Sequence, residues 1–294
     1  MRVFVTGATG FVGSAVVREL LGAGHNVLGL ARSDQGADAL TAAGAEVHRG
    51  DLEDLDSLQK GARETDGTIH CAFIHDFAKF AENGQIDKRA IEAMGEVLEG
   101  TNKPFIVTSG TALIAPGVVV TEEMRREISA QVPRVSEQAG LAYASRGVRA
   151  MAIRLPQVHG AKGKAGLITY LAENARQKGA APYVGDGSER WAAAHILDVA
   201  RVYKLALEKG IADGIYHAVD EEGVPMRQIV EVVGRALNVP VVSIKKEEAV
   251  DYFGPLAMFA GYDMPASSAL TQQWLGWKPT QIGLMADISQ PGYF

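Results

Sequence analysis

Apolar residues along this chain follow two alternating rhythms. Short β-branched or aromatic runs, the first from Val3 to Val5, alternate with stretches of helical spacing, as at Val12, Val16, Val17, Leu20 and Leu21. The runs predict strands near residues 2–6, 26–31, 45–48, 67–72, 104–109 and 148–155. The helical stretches predict helices near 11–23, 35–43, 54–62, 85–100 and 134–146. Gly24, Gly44 and Gly147 each follow a helix, where a left-handed closing residue belongs. Strict alternation of this kind makes an α/β fold, a parallel sheet with crossover helices. After Pro156 the rhythm loosens, and residues 156–164 and 179–191, rich in glycine and charge, suit loops over a site. A helix near 195–209 and a strand near 215–219 return to the sheet. Residues 221–294 carry six prolines among short elements and suit a smaller lobe.

The first strand runs into a turn holding Gly7, Gly10 and Gly13, and a helix follows at once. Gly7 permits the tight turn, Gly10 lets backbone N–H groups approach a pyrophosphate, and Gly13 lets the helix pack closely on the strand. Strand, glycine turn and helix in this order form a nucleotide phosphate site, with Thr6, Thr9, Phe11 and Val12 beside the glycines.

The form Thr-Gly-x-x-Gly-x-x-Gly resembles the short-chain dehydrogenase/reductase superfamily, in its extended and atypical branches. Gly50-Asp51-Leu52, the run Arg154-Leu155-Pro156-Gln157-Val158-His159-Gly160, and Gly185-Asp186-Gly187 leading to His195-Ile196-Leu197-Asp198 follow in the order such proteins show. The resemblance covers nearly the whole chain. It implies a Rossmann-like doubly wound sheet over residues 1–155, with returning elements near 195–219, and a C-terminal substrate lobe formed mainly by 156–294. This branch holds reductases, epimerases, dehydratases and catalytically silent NADP binders.

The expected cofactor is NADP(H). Where an acid selective for NAD would stand after the second strand, the chain has Arg32, whose planar fork suits a 2′-phosphate. Ser33 adds a hydroxyl, and Asp34 either neutralises Arg32 or serves a ribose. The alternative for Arg32 is a solvated strand end. The resemblance brings Asp51 and Leu52 to the adenine edge, although Asp51 also suits a cap for a helix near Glu53. It sets Cys71, Ala72 and Phe73 along the ribose, with Cys71 better suited to packing than to nucleophilic attack. It also brings Thr108, Pro156, Val158 and His159 to the nicotinamide end.

A carbonyl reductase needs a proton donor for the substrate oxygen. In this superfamily a tyrosine serves, assisted by a lysine four residues on, and none of the eight tyrosines here has that lysine. Glu137 matches a glutamate that relatives carry eight residues after the tyrosine, so the dyad positions fall on Ser129 and Pro133. The dyad is absent. Candidate catalytic groups are Ser109 and Thr111 at the end of the fifth strand, His75 past the fourth, and His159; each has an alternative as a cap or packing residue. His75 and Thr111, with Arg190 and Trp191, are expected to line the substrate pocket, Trp191 being equally suited to a core. His195 and Asp198 have a metal-like spacing that a helix N-terminal acid explains more simply, and no metal is expected.

The chain has 294 residues, a net charge of −6 and a single cysteine. These features argue against nucleic acid and membrane-surface partners and exclude an intramolecular disulfide. The strand near residue 2 leaves no room for a signal peptide, and no run approaches the ~18–20 apolar residues of a membrane span. A cytoplasmic monomer or homodimer is expected, an NADP(H)-dependent oxidoreductase acting on a small organic carbonyl or imine. The rival activities are a non-catalytic NADP-binding regulator and a sugar-nucleotide epimerase or dehydratase.

Overall fold

A computed structural model of the protein describes residues 1–125, 127, 134–160, 162 and 166–294. The first half of the chain runs β1 (Arg2–Thr6), α1 (Phe11–Gly22), β2 (Asn26–Ala31), α2 (Asp34–Ala42), β3 (Glu46–Arg49), α3 (Leu55–Arg63), β4 (Gly67–His70), α4 (Phe80–Leu98), β5 (Pro104–Gly110), α5 (Ser136–Leu141) and β6 (Arg149–Leu155). The second half runs β7 (Gln157–His159), α6 (Leu167–Lys178), β8 (Ala181–Val184), β9 (Arg190–His195), α7 (Ile196–Lys209), β10 (Gly214–His217), β11 (Glu221–Pro225), α8 (Met226–Leu237), β12 (Val241–Ile244), α9 (Ala249–Phe253), α10 (Ala269–Leu275) and α11 (Leu284–Ile288).

The main sheet has the order β3-β2-β1-β4-β5-β6-β10, and every pairing in it is parallel. Successive strand residues point to opposite faces. Val3 and Val5 therefore join a core with α1, α2 and α7, while Phe4 joins one with α3, α4 and α5. This is a Rossmann-like, doubly wound fold. Strand order reverses between β1 and β4, and the crevice at the carboxyl ends there is where such sheets take ligands. β7, β9 and β11 form a second sheet, and β8 pairs with β12. A third core unites α6, α8, α9 and α11 over these strands.

Three expectations need correction. β4 stops at His70 because Cys71 and Ala72 leave the ladder to cross β1, donating backbone N–H to Thr6 O at 3.3 Å and Thr6 Oγ1 at 3.3 Å. The helix expected over 134–146 is the short α5 followed by a separate 3-10 turn at Ala144–Arg146, closed by Gly147 at φ +74°. The segments expected as loops hold β7, β8 and the start of β9, strands too short to show a period.

Candidate functional site

The glycine loop is locked from two sides. Gly7 sits at φ +64°, and a Cβ there would stand 2.7 Å from Ala72 N. A Cβ on Gly13 would stand 2.0 Å from Gly7 O, so α1 rests directly on the turn. Gly10 differs: it has extended φ and ψ of −77° and 177°, and Gly7 O at 3.2 Å is the nearest atom to its Cβ direction. α1 has no side-chain cap and no acid in its first turn. Its first closing bond is Ser14 N to Gly10 O at 2.9 Å, so the N–H groups of Phe11, Val12 and Gly13 have no acceptor within the helix. These donors and the positive end of a helix, beside a Gly10 that carries no side chain over them, fit a pyrophosphate.

Beyond β2, Ser33 Oγ caps α2 by accepting from Gly36 N at 3.2 Å. Asp34 pairs with Arg49 at the tip of β3, and Arg32 is exposed with no ion pair among the described residues. Asp51 Oδ1 accepts from Glu53 N at 2.8 Å and Asp54 N at 3.1 Å, whereas Asp54 itself caps α3. Leu52 is half-buried beside α3 and α4, and Thr9 is exposed near Gly36.

A buried polar chain crosses the carboxyl edge of β1, β4 and β5. Thr6 Oγ1 meets His70 Nδ1 at 2.8 Å, and His70 Nε2 meets Asp87 Oδ1 at 3.1 Å. Ser136 donates to Asp87 Oδ2 and accepts from Arg134 Nε at 2.7 Å. Burial alone would raise the Asp87 carboxyl; hydrogen bonds from His70 and Ser136 and the charge of Arg134 hold it below its ordinary range. Arg134 Nη2 donates to Thr108 O at 2.9 Å, and its guanidinium carbon lies 4.0 Å over the Phe73 ring. The sequence analysis missed this residue. Its signal was position, one residue past Pro133 on the vacant lysine site.

The expected catalytic groups fall around this cation. Ser109 is buried at the end of β5, and its hydroxyl has no hydrogen bond among the described residues. Thr111 is buried and turned back, N and Oγ1 both donating to Leu155 O, at 3.0 and 3.4 Å. Thr108 Oγ1 donates to His70 O at 2.7 Å and meets Tyr203 Oη at 2.8 Å, which occupies it within the fold. Burial pushes the neighbouring Cys71 thiol up to about 12, an inert packing group rather than a nucleophile. His75 keeps an exposed edge, but its ring lies against Phe73 at 5.3 Å and Phe77 at 6.2 Å. Desolvation by these neighbours and the charge of Arg134 hold it below the usual imidazole range.

Other candidates lie away from this edge. His159 is buried, with Nδ1 2.7 Å from Asp287 Oδ2 on α11 and its ring 5.3 Å from that of His195. Pro156 is half-buried between β6 and β7, and Val158 packs into the core under α1 and α7. Asp263 clamps Arg190 through Nε at 2.9 Å and Nη2 at 2.7 Å. Trp191 is buried in the third core and also lines a cavity there. Asp198 receives the N–H groups of Thr280 and Gln281, at 3.1 and 2.9 Å. Glu137 is the buried bidentate partner of Arg154, at 2.7 and 2.6 Å. Ser129 and Pro133 lie outside the described residues.

Comparison with known proteins agrees with the fold. Residues 3–218 match the model of the NAD dependent epimerase/dehydratase family. An uncharacterized protein of Schizosaccharomyces pombe is 48% identical over 296 residues, covering 100% of both chains. The 2-alkyl-3-oxoalkanoate reductase of Stenotrophomonas maltophilia is 29% identical over 265 residues, 82% of this chain and 77% of that one. Among solved structures, the dTDP-glucose 4,6-dehydratase DesIV of Streptomyces venezuelae, with NAD bound, superposes with a TM-score of 0.77 at 20% identity, covering 99% of this chain and 96% of that one. The chain belongs to the NAD dependent epimerase/dehydratase family, within the extended short-chain dehydrogenases/reductases.

Proposed function

We propose that the protein is an NADP(H)-dependent oxidoreductase that reduces a small organic carbonyl compound, with the cofactor along residues 1–155 and the substrate held mainly by residues 156–294. The observation that carries this reading is Arg134. Its guanidinium is stacked on Phe73 and tied to Thr108 O at the edge of β5, beside the unbonded hydroxyl of Ser109. A bound nicotinamide dinucleotide supplies the hydride. As hydride reaches a carbonyl carbon, negative charge grows on the oxygen, and a preorganised cation in a dry site stabilises it. Ser109 adds a donor, and His75, whose exposed edge meets solvent, relays a proton from water to the same oxygen.

This set favours reduction over the rival activities. An epimerase or dehydratase begins by removing a proton from a sugar hydroxyl; a guanidinium does not act as a base, which leaves only His75 of this set for that task. An iminium arrives already positive and is repelled by Arg134, so carbonyl substrates take precedence over imines. A regulator without catalysis has no use for a guanidinium stacked on Phe73 at the strand edge. The reductase of S. maltophilia, which spans most of the chain, supports the reading.

The test is NADPH consumption across small aldehydes, ketones and cyclic imines. Carbonyls are expected to turn over faster than imines. Arg134→Gln is expected to lower kcat/KM by about 10²–10³ while NADPH affinity stays within a few-fold. Binding of NADPH without turnover of any carbonyl, or conversion of UDP-glucose to its epimer, overturns the proposal.

A further inference from the structure

A slot opens in the C-terminal lobe among α6, β8, β9 and residues 253–261. Its walls are largely apolar: Leu167, Leu171, Trp191, Phe253 and Phe259 face it, and Glu189 brings its one charged side chain. The slot is narrow: its enclosed part has room for one or two waters, and its whole empty space, part of it open to solvent, is about 410 Å³. An aromatic path joins it to the strand edge. The His75 ring lies 6.2 Å from Phe77, and Phe77 lies 6.3 Å from Phe259 on the slot wall and 5.8 Å from Tyr170.

The charges nearby decide what can enter. Among the described residues, the Glu189 carboxylate has no hydrogen bond or ion pair, and no cation lines the slot. Among the described residues, Arg190 is engaged by Asp263 at 2.7 Å, Arg227 by Glu231 at 2.9 Å, and Lys246 lies over the Tyr262 ring at 4.5 Å. A diphosphate entering here would lose its water beside a carboxylate and gain no counter-ion. A thin hydrocarbon chain would lose nothing polar of its own and would meet carbon along the slot except at the Glu189 carboxylate.

We propose that this slot takes the unbranched aliphatic chain of the carbonyl substrate and that the lobe thereby excludes nucleotide sugars. The inference rests on the reductase reading of the strand-edge site, with the carbonyl at Arg134 and the chain running along Phe77 and Phe259.

Two measurements separate the inference from that reading. In the first, kcat/KM with NADPH is compared along the straight-chain aldehydes from acetaldehyde to octanal and with their branched isomers. It is expected to rise about three- to fourfold per methylene until the slot is filled, and to fall on branching. In the second, straight-chain alcohols are titrated calorimetrically into the NADPH-loaded protein, which cannot oxidise them. Affinity is expected to rise with chain length, and Phe259→Glu is expected to flatten that rise. Reduction with a flat chain-length series overturns the slot and leaves the reductase standing. Chain-dependent alcohol binding without reduction of any aldehyde does the reverse. UDP-glucose binding as tightly as octanol overturns the slot.

Discussion

Arg32 stands exposed beyond β2, and the acid that sequence proximity would pair with it, Asp34, is held instead by Arg49. Its fork therefore remains available to a 2′-phosphate, with the Ser33 hydroxyl hydrogen beside it as a second donor. A charge-assisted contact of this kind corresponds to roughly ten- to a hundred-fold in affinity. NADPH is expected to bind more tightly than NADH by that factor. Arg32→Ala is expected to erase the preference and leave NADH binding nearly unchanged, as measured by titration of both cofactors. At this scale spacing served well where a motif is local and poorly where partners come from afar. The clamp of Asp263 on Arg190 spans 73 positions, and that of Asp287 on His159 spans 128. No local pattern announces such pairs. Arg134 was invisible for a different reason: the count back from Glu137 ended on Pro133, and only the folded chain brings the next side chain onto Phe73.

The β1 turn and α1 divide two tasks among three glycines. A Cβ would overlap backbone at Gly7 and Gly13, whereas at Gly10 it would meet only Gly7 O, tightly, at 3.2 Å. Gly10 also has an extended backbone that any residue adopts, so the effect of a side chain there comes from space, not from strain. Gly10→Val is expected to lower the melting temperature less than Gly13→Val does and to abolish binding of both NADPH and NADH. Gly13→Val must push α1 off Gly7 O, and is expected to cost about 1–3 kcal/mol or more of stability as well as binding. Calorimetric melting with cofactor titration on both variants checks the contrast; equal losses of stability would show that the two positions are not distinct. Long, periodic elements such as α1 and β5 were legible from the chain alone. β7, β8 and β12, three or four residues each, were not, because their hydrogen bonds are made with strands distant in sequence and leave no local signature.

Across the whole molecule, one buried cluster joins the main sheet to the segment before α10. Arg154 of β6 holds Glu137 of α5 and lies 3.2 Å from Nε2 of His217 on β10, whose Nδ1 donates to Ser267 O at 2.7 Å. A proton on Nε2 would face the guanidinium. Burial and that charge push His217 down to about 3. The unfolded chain, with an imidazole of ordinary affinity near 6.5, then binds more protons than the folded one between pH 6.5 and about 3. Stability should accordingly fall as pH drops through that window. His217→Gln, which preserves a donor and an acceptor but cannot titrate, is expected to lose less stability between pH 7 and pH 5 than the parent, as read by urea unfolding at each pH; parallel losses would refute the assignment.

The returning strand and helix also set a schedule for the nascent protein. α7 covers the face of the sheet on which α1 packs, and β10 closes the edge beside β6, yet both lie beyond residue 195. When β6 leaves the ribosome, Val16, Val17 and Leu20 of α1 still await part of their cover, and the β6 edge is unpaired. The sheet waits for some sixty further residues, and during that interval it is a surface for chaperones or for a neighbouring chain. The half that holds the glycine loop is thus completed by the half that follows it, and its sheet is covered and closed only once both have been made.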